Sequence, residues 1–229
     1  MALYAIGDLH LSLGSSKPMD VFGGGWNNYV EKISVGFSAL GPDDICVLCG
    51  DISWGMSLSE SAEDFKYIDK LPGKKIILKG NHDYWWTTAS KMKSFFNENS
   101  IESIEILHNN CFHYESTAIC GTRGWLMDEE ADAEHNAKVM AREAARLRAS
   151  LTAAGDAAEK LCFFHYPPRF YNMVCREIIA IMDEFGVKVC YYGHIHGDGH
   201  RFAVCGEVEG IEYVMVSADF VDFTPQRVL

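Results

Sequence analysis

Residues 75–83 read Lys75-Ile76-Ile77-Leu78-Lys79-Gly80-Asn81-His82-Asp83, an apolar run that leads directly into a glycine and three polar side chains. The run 75–78 predicts a buried strand, because it is short, apolar and bounded by polar residues. The glycine permits a sharp backbone turn, after which the polar side chains can converge. The order Gly-Asn-His-Asp arises by chance in roughly one chain in several hundred. The stretch therefore indicates a strand whose end carries chemistry.

The same pattern, a short strand followed by polar residues, recurs along the chain. Taken singly, each polar residue has an ordinary explanation, such as a turn aspartate, a helix cap or a core histidine. Ligands bind at the carboxyl ends of strands in open α/β sheets, so the ordered series indicates one shared site. The strands predicted at Leu3–Ile6, Ile45–Leu48, 160–164 and 188–192 precede, in that order, Gly7-Asp8-Leu9-His10, Gly50-Asp51, His165 and Gly193-His194-Ile195-His196.

Helical patterns separate these strands and define the fold class. Strand–helix alternation indicates crossover units and a largely parallel sheet. In the middle of the chain, short runs at 104–108, 111–114 and 117–120 predict a meander with a turn at Asn109-Asn110. Near the end, 201–205 and 211–217 predict a hairpin. The predicted helices cover 28–40, 59–70, 87–99, 128–154 and 175–185.

We predict an α/β fold in which two mixed β-sheets pack face to face as a sandwich, with helices outside. The chain has 229 residues, of which 48% are hydrophobic, so it can bury a large core. No internal repeat and no linker-like stretch interrupts the sequence. A single domain over residues 1–229 is therefore the simpler organisation.

Charge and cysteine usage exclude several partners and indicate a compartment. Twenty Lys and Arg against 32 Asp and Glu give a net charge of −12, which argues against long nucleic acids and anionic membranes. No secretory segment and no apolar run of membrane-spanning length is present. Buried thiols in a reducing cytoplasm are therefore the simplest explanation of the eight cysteines. Six of them fall in predicted strands, namely Cys46, Cys49, Cys120, Cys162, Cys190 and Cys205.

The polar residues at the strand ends comprise two aspartates, one asparagine and four histidines, with His82 and Asp83 beside them. Oxygen and imidazole ligands without thiolate suit Mn, Fe or Zn better than they suit a closed structural zinc site. Seven side chains exceed the needs of one divalent ion. Two ions that share a carboxylate would use them, as in two-metal phosphoryl chemistry.

The order DxH, GD, GNHD, H and GHxH resembles that of the calcineurin-like metallophosphoesterases. The resemblance runs from Asp8 to His196 and implies a four-layer α/β/β/α sandwich with a dinuclear metal centre. It further implies that His82 protonates the leaving group and that Asp83 orients His82. In the implied ligand set, one metal is held by Asp8, His10, Asp51 and His196, and Asp51 bridges to a second metal completed by Asn81, His165 and His194.

The resemblance implies a hydrolase of phosphomonoesters or phosphodiesters that works by attack of a hydroxide bridging the two metals. Two divalent ions bring four positive charges, and Asp8, Asp51 and the hydroxide remove three, which leaves a locally positive centre for phosphate. Mn is expected to support activity in vitro. Because imidazole ligands must be neutral, activity is expected to fall below about pH 6.

Other residues and other functions stay open at this point. Arg123 either contacts substrate phosphate or forms a surface ion pair. Trp54, Trp85 and Trp86 either stack on a nucleobase or aryl leaving group, or pack behind the metal-binding loops. A small phosphoester, with nucleotides among the candidates, is the expected partner. A nuclease, a protein phosphatase and a non-catalytic scaffold of the same fold are the alternatives.

Overall fold

The structure is a computed structural model and describes residues 1–126 and 132–229. In that part of the chain, the α-helices are α1 (Tyr29–Phe37), α2 (Ala62–Lys70), α3 (Ala89–Glu98), α4 (Ala133–Ala153) and α5 (Arg176–Glu184). The strands are β1 (Leu3–Ile6), β2 (Ile45–Leu48), β3 (Lys74–Ile77), β4 (Ile104–Ile106), β5 (Phe112–Tyr114), β6 (Thr117–Thr122), β7 (Glu159–Phe164), β8 (Arg169–Phe170), β9 (Met173–Val174), β10 (Val189–Tyr192), β11 (Gly206–Val208), β12 (Ile211–Met215) and β13 (Gln226–Arg227).

Two large mixed sheets form the centre of the fold, as predicted. The first has the order β13-β1-β2-β3-β4, with β1 to β4 parallel and β13 antiparallel to β1. The second has the order β11-β12-β10-β7-β6-β5, with four parallel strands in the middle and an antiparallel strand at each edge. Parallel neighbours end on the same side of a sheet, so the loops that follow β1, β2 and β3 lie together at one end of the first sheet, and those that follow β7 and β10 lie together at one end of the second.

The sheets pack face to face with helices on both outer sides, which confirms the predicted sandwich. Because strand side chains alternate, Val47 and Cys49 join the cluster between the sheets, whereas Cys46 and Leu48 face the helices. Helices α1 to α3 cover the first sheet, and α4 and α5 cover the second. The inter-sheet cluster includes Leu3, Ala5 and Ile76 of the first sheet, Leu78 directly after β3, and Ile119, Leu161, Phe163 and Tyr191 of the second sheet.

The predicted meander is wrong. The Cα of Ile104 pairs with that of Lys75, so β4 is a parallel edge strand of the first sheet, and the chain then crosses to the second. There β5 and β6 pair antiparallel. Ile104 and Ile106 pack against the helix-facing core of the first sheet. An alternating Ile-Glu-Ile run fits either sheet, and sequence does not specify the neighbour.

The predicted strand at 201–205 is also wrong. Gly197–Phe202 form a 3-10 turn, and β12 pairs instead with β11. Cys205 lies outside the strands and is exposed, whereas Cys46, Cys49, Cys120, Cys162 and Cys190 are buried free thiols. The predicted helix ranges include capping residues such as Thr88 and Cys175, so the helices are slightly shorter than expected. Of the predicted helix 128–154, residues 128–131 lie outside the described part of the chain.

Within the described ranges, no helix combines the length and the apolar character that a bilayer crossing requires.

Candidate metal centre

The structure brings all seven predicted ligand residues together between the two sheets, at the carboxyl ends of their strands. Ligand atoms of Asp8, His10 and His196 lie within 4.8 Å of one another. A second group, formed by Asp8, Asp51 and His165, meets the same limit. The two groups overlap, which is the arrangement that two neighbouring metal ions require.

Asp51 lies between the two halves of the centre. Its Oδ2 is 3.6 Å from Nε2 of His10, and its Oδ1 is 3.6 Å from Nε2 of His165. Each carboxylate oxygen therefore faces a different histidine, as a shared carboxylate would. On the side of His165, Nε2 is 2.6 Å from Oδ1 of Asn81 and 3.2 Å from Nδ1 of His194.

Backbone and carboxylate partners orient two of the histidine rings. Nδ1 of His165 is 3.1 Å from the carbonyl oxygen of Cys49, and Nδ1 of His196 is 2.7 Å from Oδ1 of Asp219. An Nδ1–H that donates to an oxygen leaves the Nε2 lone pair available for a metal. Both Nε2 atoms point into the cluster of ligand atoms.

The donor set fits divalent cations. Nε2 of His10 and Nε2 of His196 face each other at 3.3 Å, and Nδ1 of His10 is buried with no hydrogen-bond partner in the described ranges. The Asp51 carboxylate also requires that the neighbouring residue 80 has no side chain. A Cβ at Gly80 would lie 2.0 Å from Oδ1 of Asp51, so only glycine fits there. Oxygen and nitrogen donors without thiolate are the set that Mn, Fe and Zn accept.

Burial controls the protonation of these groups. It lowers the pKa of His165 to about 3 and that of His194 to about 2, so both rings are neutral and ready to bind a metal. Burial also raises the pKa of Asp8 to about 8, and repulsion from Asp51 contributes. For His196, burial opposes the charged form, but Asp8 and Asp219 outweigh it and raise the pKa to about 9. Positive charge is therefore favoured at His196, between Asp8 and Asp219, whereas His165 and His194 stay neutral.

Four of the seven residues adopt left-handed backbone conformations. The φ angles are 59° at Asp8, 46° at His10, 52° at Asp51 and 74° at His194. Aspartate, asparagine and histidine tolerate this region better than most residues do, yet it costs conformational energy. Hydrogen bonds between loops hold the strained backbone, including those from Asp8 N to the Gly50 oxygen at 2.9 Å and from His10 N to the Asp51 oxygen at 2.9 Å. Strain concentrated in this way is typical of functional sites.

His82 borders the centre without belonging to either ligand group. Its backbone N–H donates to Oδ1 of Asp51 at 2.8 Å, and its ring centroid lies 4.4 Å from that of Trp54 and 5.7 Å from that of His10. The ring is partly exposed, and its Nδ1 lies 3.4 Å from the hydroxyl of Tyr84. This position leaves His82 available to a bound ligand.

The expectation that Asp83 orients His82 is not what the structure shows. The buried carboxylate of Asp83 accepts hydrogen bonds from the backbone N–H groups of Asp51, Ile52, Ser53 and Gly80, and from Nε1 of Trp85. Within the described ranges, no hydrogen bond or ion pair joins this carboxylate to the His82 ring, whose Nδ1 lies beside Tyr84 instead. Asp83 therefore ties the loop after β2 to the loop after β3.

Sequence reasoning missed Asp219. Besides its contact with His196, the Asp219 carboxylate accepts a hydrogen bond from the backbone N–H of Gly197 at 3.0 Å and lies 3.3 Å from Nε2 of His200. The residue follows β12 by four positions. Polar residues that follow a strand indicate the site at five strands, and the same signal is present after β12 at Asp219.

The three tryptophans have different surroundings. Trp85 is buried and packs against Phe65 with ring centroids 4.8 Å apart, so its role is structural. Trp54 stacks on His10 at 5.0 Å with an interplanar angle of 21°, and it also contacts His82. Trp86 is partly buried, and its ring lies 6.0 Å from that of His108.

A cavity of about 730 Å³ opens directly onto the centre. We call it the aromatic cavity, because Trp26, Trp54 and Phe22 form much of its wall beside Met19. His82 lines it as well. The cavity therefore connects the candidate metal centre to an apolar space large enough for a small organic group.

Two mixed sheets between helices, with buried aspartates and histidines at the strand ends, define the class of α/β/β/α sandwiches with an Asp/His metal site. The chain belongs to the calcineurin-like phosphoesterase family, whose sequence model matches residues 1–198. That range contains all seven predicted ligand residues together with His82 and Asp83.

The solved structures that share the fold include the following two. A phosphopantetheinyl hydrolase from Mycobacterium tuberculosis has 15% identity and a TM-score of 0.58, with 100% of this chain and 95% of that chain covered. A protein of unknown function from Aquifex aeolicus has 16% identity and a TM-score of 0.51, with 99% of this chain and 95% of that chain covered. No protein of curated function matches the chain significantly.

Proposed function

We propose that the protein hydrolyses small phosphoesters with two divalent metal ions held by Asp8, His10, Asp51, Asn81, His165, His194 and His196. The observation that carries the proposal is the position of Asp51, whose two oxygens each face a different histidine at 3.6 Å. Divalent cations in this position would polarise the phosphoryl group and supply a nucleophile from water near neutral pH.

His82 is the residue we assign to proton transfer. Its ring lies beside the ligand groups, lines the aromatic cavity and is fixed at its backbone by Asp51. An imidazole in this place can give a proton to the oxygen of the leaving group as the ester bond breaks. His82 needs no metal contact for this role.

The aromatic cavity suits the leaving group. Its wall carries more apolar than polar surface, and Trp54 lies against both His10 and His82. An aryl, nucleobase or alkyl group bound there would bring its ester oxygen next to His82. The charge of −12 weighs against a long polyanion as substrate, so a small ester is the proposed partner.

The test combines metal analysis with a substrate panel. The purified protein is analysed for Mn, Fe and Zn, and turnover is measured with added Mn²⁺ on aryl monoesters and diesters, cyclic nucleotides, dinucleoside polyphosphates and single-stranded DNA. A phosphopantetheinyl ester joins the panel because a protein of the same fold is named for that activity.

Asp51→Asn provides the matched control, because it preserves shape while it removes the shared charge. We expect metal-dependent turnover of at least one small ester, and loss of both metal and turnover in the variant. Absence of bound metal and of turnover on every substrate would contradict the proposal. Turnover confined to DNA would favour a nuclease instead.

A further inference from the structure

A second cavity, of about 350 Å³, lies one strand beyond the metal centre in each sheet. It is bounded by the end of β3, the end of β6 and the residues that follow β4, whereas the centre lies at β1, β2, β3, β7 and β10. We call it the basic cavity, because Lys79, Arg123 and Arg146 line it and no acidic side chain in the described ranges does. Trp86, Thr87, Thr88 and His108 also contribute to its wall.

The positive charge of the basic cavity is only partly neutralised. The fully buried Glu143 carboxylate lies 2.6 Å from Nη1 of Arg146 and 3.7 Å from Nη2 of Arg123, and it accepts a hydrogen bond from the Thr122 hydroxyl at 2.6 Å. One carboxylate thus serves two guanidinium groups, and no ion pair to Lys79 is formed within the described ranges. About two positive charges remain, inside a protein whose net charge is −12. A positive cavity of this kind concentrates anions.

Two aromatic rings hold the Arg123 side chain in place, and not all of its N–H groups have hydrogen-bond partners in the described part of the chain. Its guanidinium carbon lies 5.3 Å from the ring centroid of Trp125 and 6.0 Å from that of Tyr166, so two aromatic rings support it. Its Nε is buried and has no hydrogen-bond partner in the described part of the chain. A buried donor without a partner costs free energy, and of the remaining guanidinium nitrogens Nη2 makes, among the described residues, only the 3.7 Å contact with Glu143, so the terminal N–H groups can donate to an anion in the cavity.

The basic cavity shares its wall with the metal centre. The carbonyl oxygen of Arg123 accepts the backbone N–H of His165 at 3.2 Å, and Lys79 directly precedes Gly80-Asn81. The Tyr166 ring, beside the Arg123 guanidinium, lies 4.3 Å from the His194 ring. The two sites are therefore adjacent, and a substrate that binds both would carry its second group past this wall.

We propose that the basic cavity binds a second phosphate group of the substrate, which would make the enzyme selective for small molecules that carry two separate phosphates. The inference rests on the proposed function, because it assumes that the first phosphate is bound at the metal centre. The excess of about two positive charges matches a phosphate dianion. Guanidinium groups, an ammonium group and threonine hydroxyls are the donors that phosphate oxygens accept.

The first test measures binding of inorganic phosphate to the Mn²⁺-supplemented protein by calorimetry at low ionic strength. Arg123→Gln and Lys79→Gln are each expected to weaken one phosphate site by about tenfold or more. Arg123→Gln removes a partner of the buried Glu143 and could disturb folding. Lys79→Gln avoids this problem, because it keeps both ion pairs of Glu143. The matched control is Arg148→Gln on α4, whose side chain is exposed and pairs with Glu184. A phosphate affinity that neither cavity variant changes would overturn the proposal.

The second test compares kcat/KM for a nucleoside 3′,5′-bisphosphate with that for the matching 5′-monophosphate. We expect the wild-type protein to favour the bisphosphate, and the ratio to fall about tenfold in Arg123→Gln and in Lys79→Gln but not in Arg148→Gln. An equal ratio in all four proteins would overturn the proposal. If no ester is turned over at all, the proposed function fails, and the phosphate titration alone decides whether the basic cavity is an anion site.

Discussion

Nδ1 of His196 lies 2.7 Å from Oδ1 of Asp219, and this contact directs Nε2 of the same ring towards His10 and Asp8. A carboxylate behind a ligating histidine fixes its tautomer and raises its affinity for metal. Asp219 lies beyond residue 198, where the match to the family ends. The segment that follows β12 thus contributes this residue to the centre.

Asp219→Asn is expected to weaken metal binding by about 10-fold to 100-fold, because the amide is a poorer partner for the ring N–H. The measurement is competition for Mn²⁺ or Zn²⁺ against a chromogenic chelator. Asp222→Asn, an exposed aspartate three residues later, is the control and should bind metal like the wild type. Equal affinity in the two variants would remove Asp219 from the centre.

His82→Ala is expected to keep its metal and lose rate. Because His82 lies outside both ligand groups, metal content should stay within about twofold of wild type, while kcat falls by about 10²-fold to 10⁴-fold. The assay uses an ester with a poor leaving group, for which protonation matters most. His113→Ala, an exposed histidine on β5, provides the control. A rate that survives the substitution would assign proton transfer elsewhere.

Asp83→Asn separates a structural role from a catalytic one. The buried carboxylate accepts five hydrogen bonds from two loops, and an amide would turn two N–H groups towards those donors. We expect a loss of about 2–4 kcal/mol in the free energy of unfolding, measured by denaturant titration. The exposed Asp156→Asn should change it by less than about 0.5 kcal/mol. A normal stability with a reduced kcat would instead support orientation of His82.

Protons and metal ions compete for the same groups at the centre. The stability of the metal-free protein and the stabilisation by added metal should therefore depend on pH in opposite directions. In the metal-free protein, burial raises the pKa of Asp8 to about 8, and Asp8 together with Asp219 outweighs burial to raise that of His196 to about 9. Both groups bind protons more tightly in the folded state than their ordinary values of 3.8 and 6.5 allow in the unfolded state. Above about pH 7, where His165 and His194 are largely neutral in both the folded and the unfolded state, Asp8 and His196 therefore make the stability of the metal-free protein fall as pH rises towards 8 to 9.

Metal ions displace these protons, so the rise in Tm caused by added Mn²⁺ should grow with pH. Thermal unfolding with and without Mn²⁺, at several values between about pH 5.5 and pH 7.5, measures the difference. A metal-induced shift in Tm that is constant across this range would show that protons do not occupy the site.

Most strands and the polar residues after them were predictable, because a short apolar run ending at a Gly-Asp or Gly-Asn step carries a local signal. The neighbour of each strand in its sheet was not predictable. Ile104 and Ile106, for example, could bury their side chains in either sheet, and only the structure shows that β4 pairs with β3. The structural role of Asp83 was also not predictable from the sequence. Its carboxylate is surrounded by backbone donors from a loop 30 residues away, and such contacts leave no sequence pattern.

The predicted ligand residues come from both sheets. Asp8 and Asp51 follow strands of the first sheet, His165 and His194 follow strands of the second, and the N–H of His194 donates to the Asp8 carboxylate. Apolar packing between sheets is non-directional, whereas metal coordination would act as a cross-link at one rim of the sandwich. Chelation is therefore expected to speed hydrogen exchange at the amides of Gly50 and Gly193 and to leave mid-strand amides protected. The metals would therefore restrain the separation of the two sheets at this rim, while apolar packing restrains it in the interior.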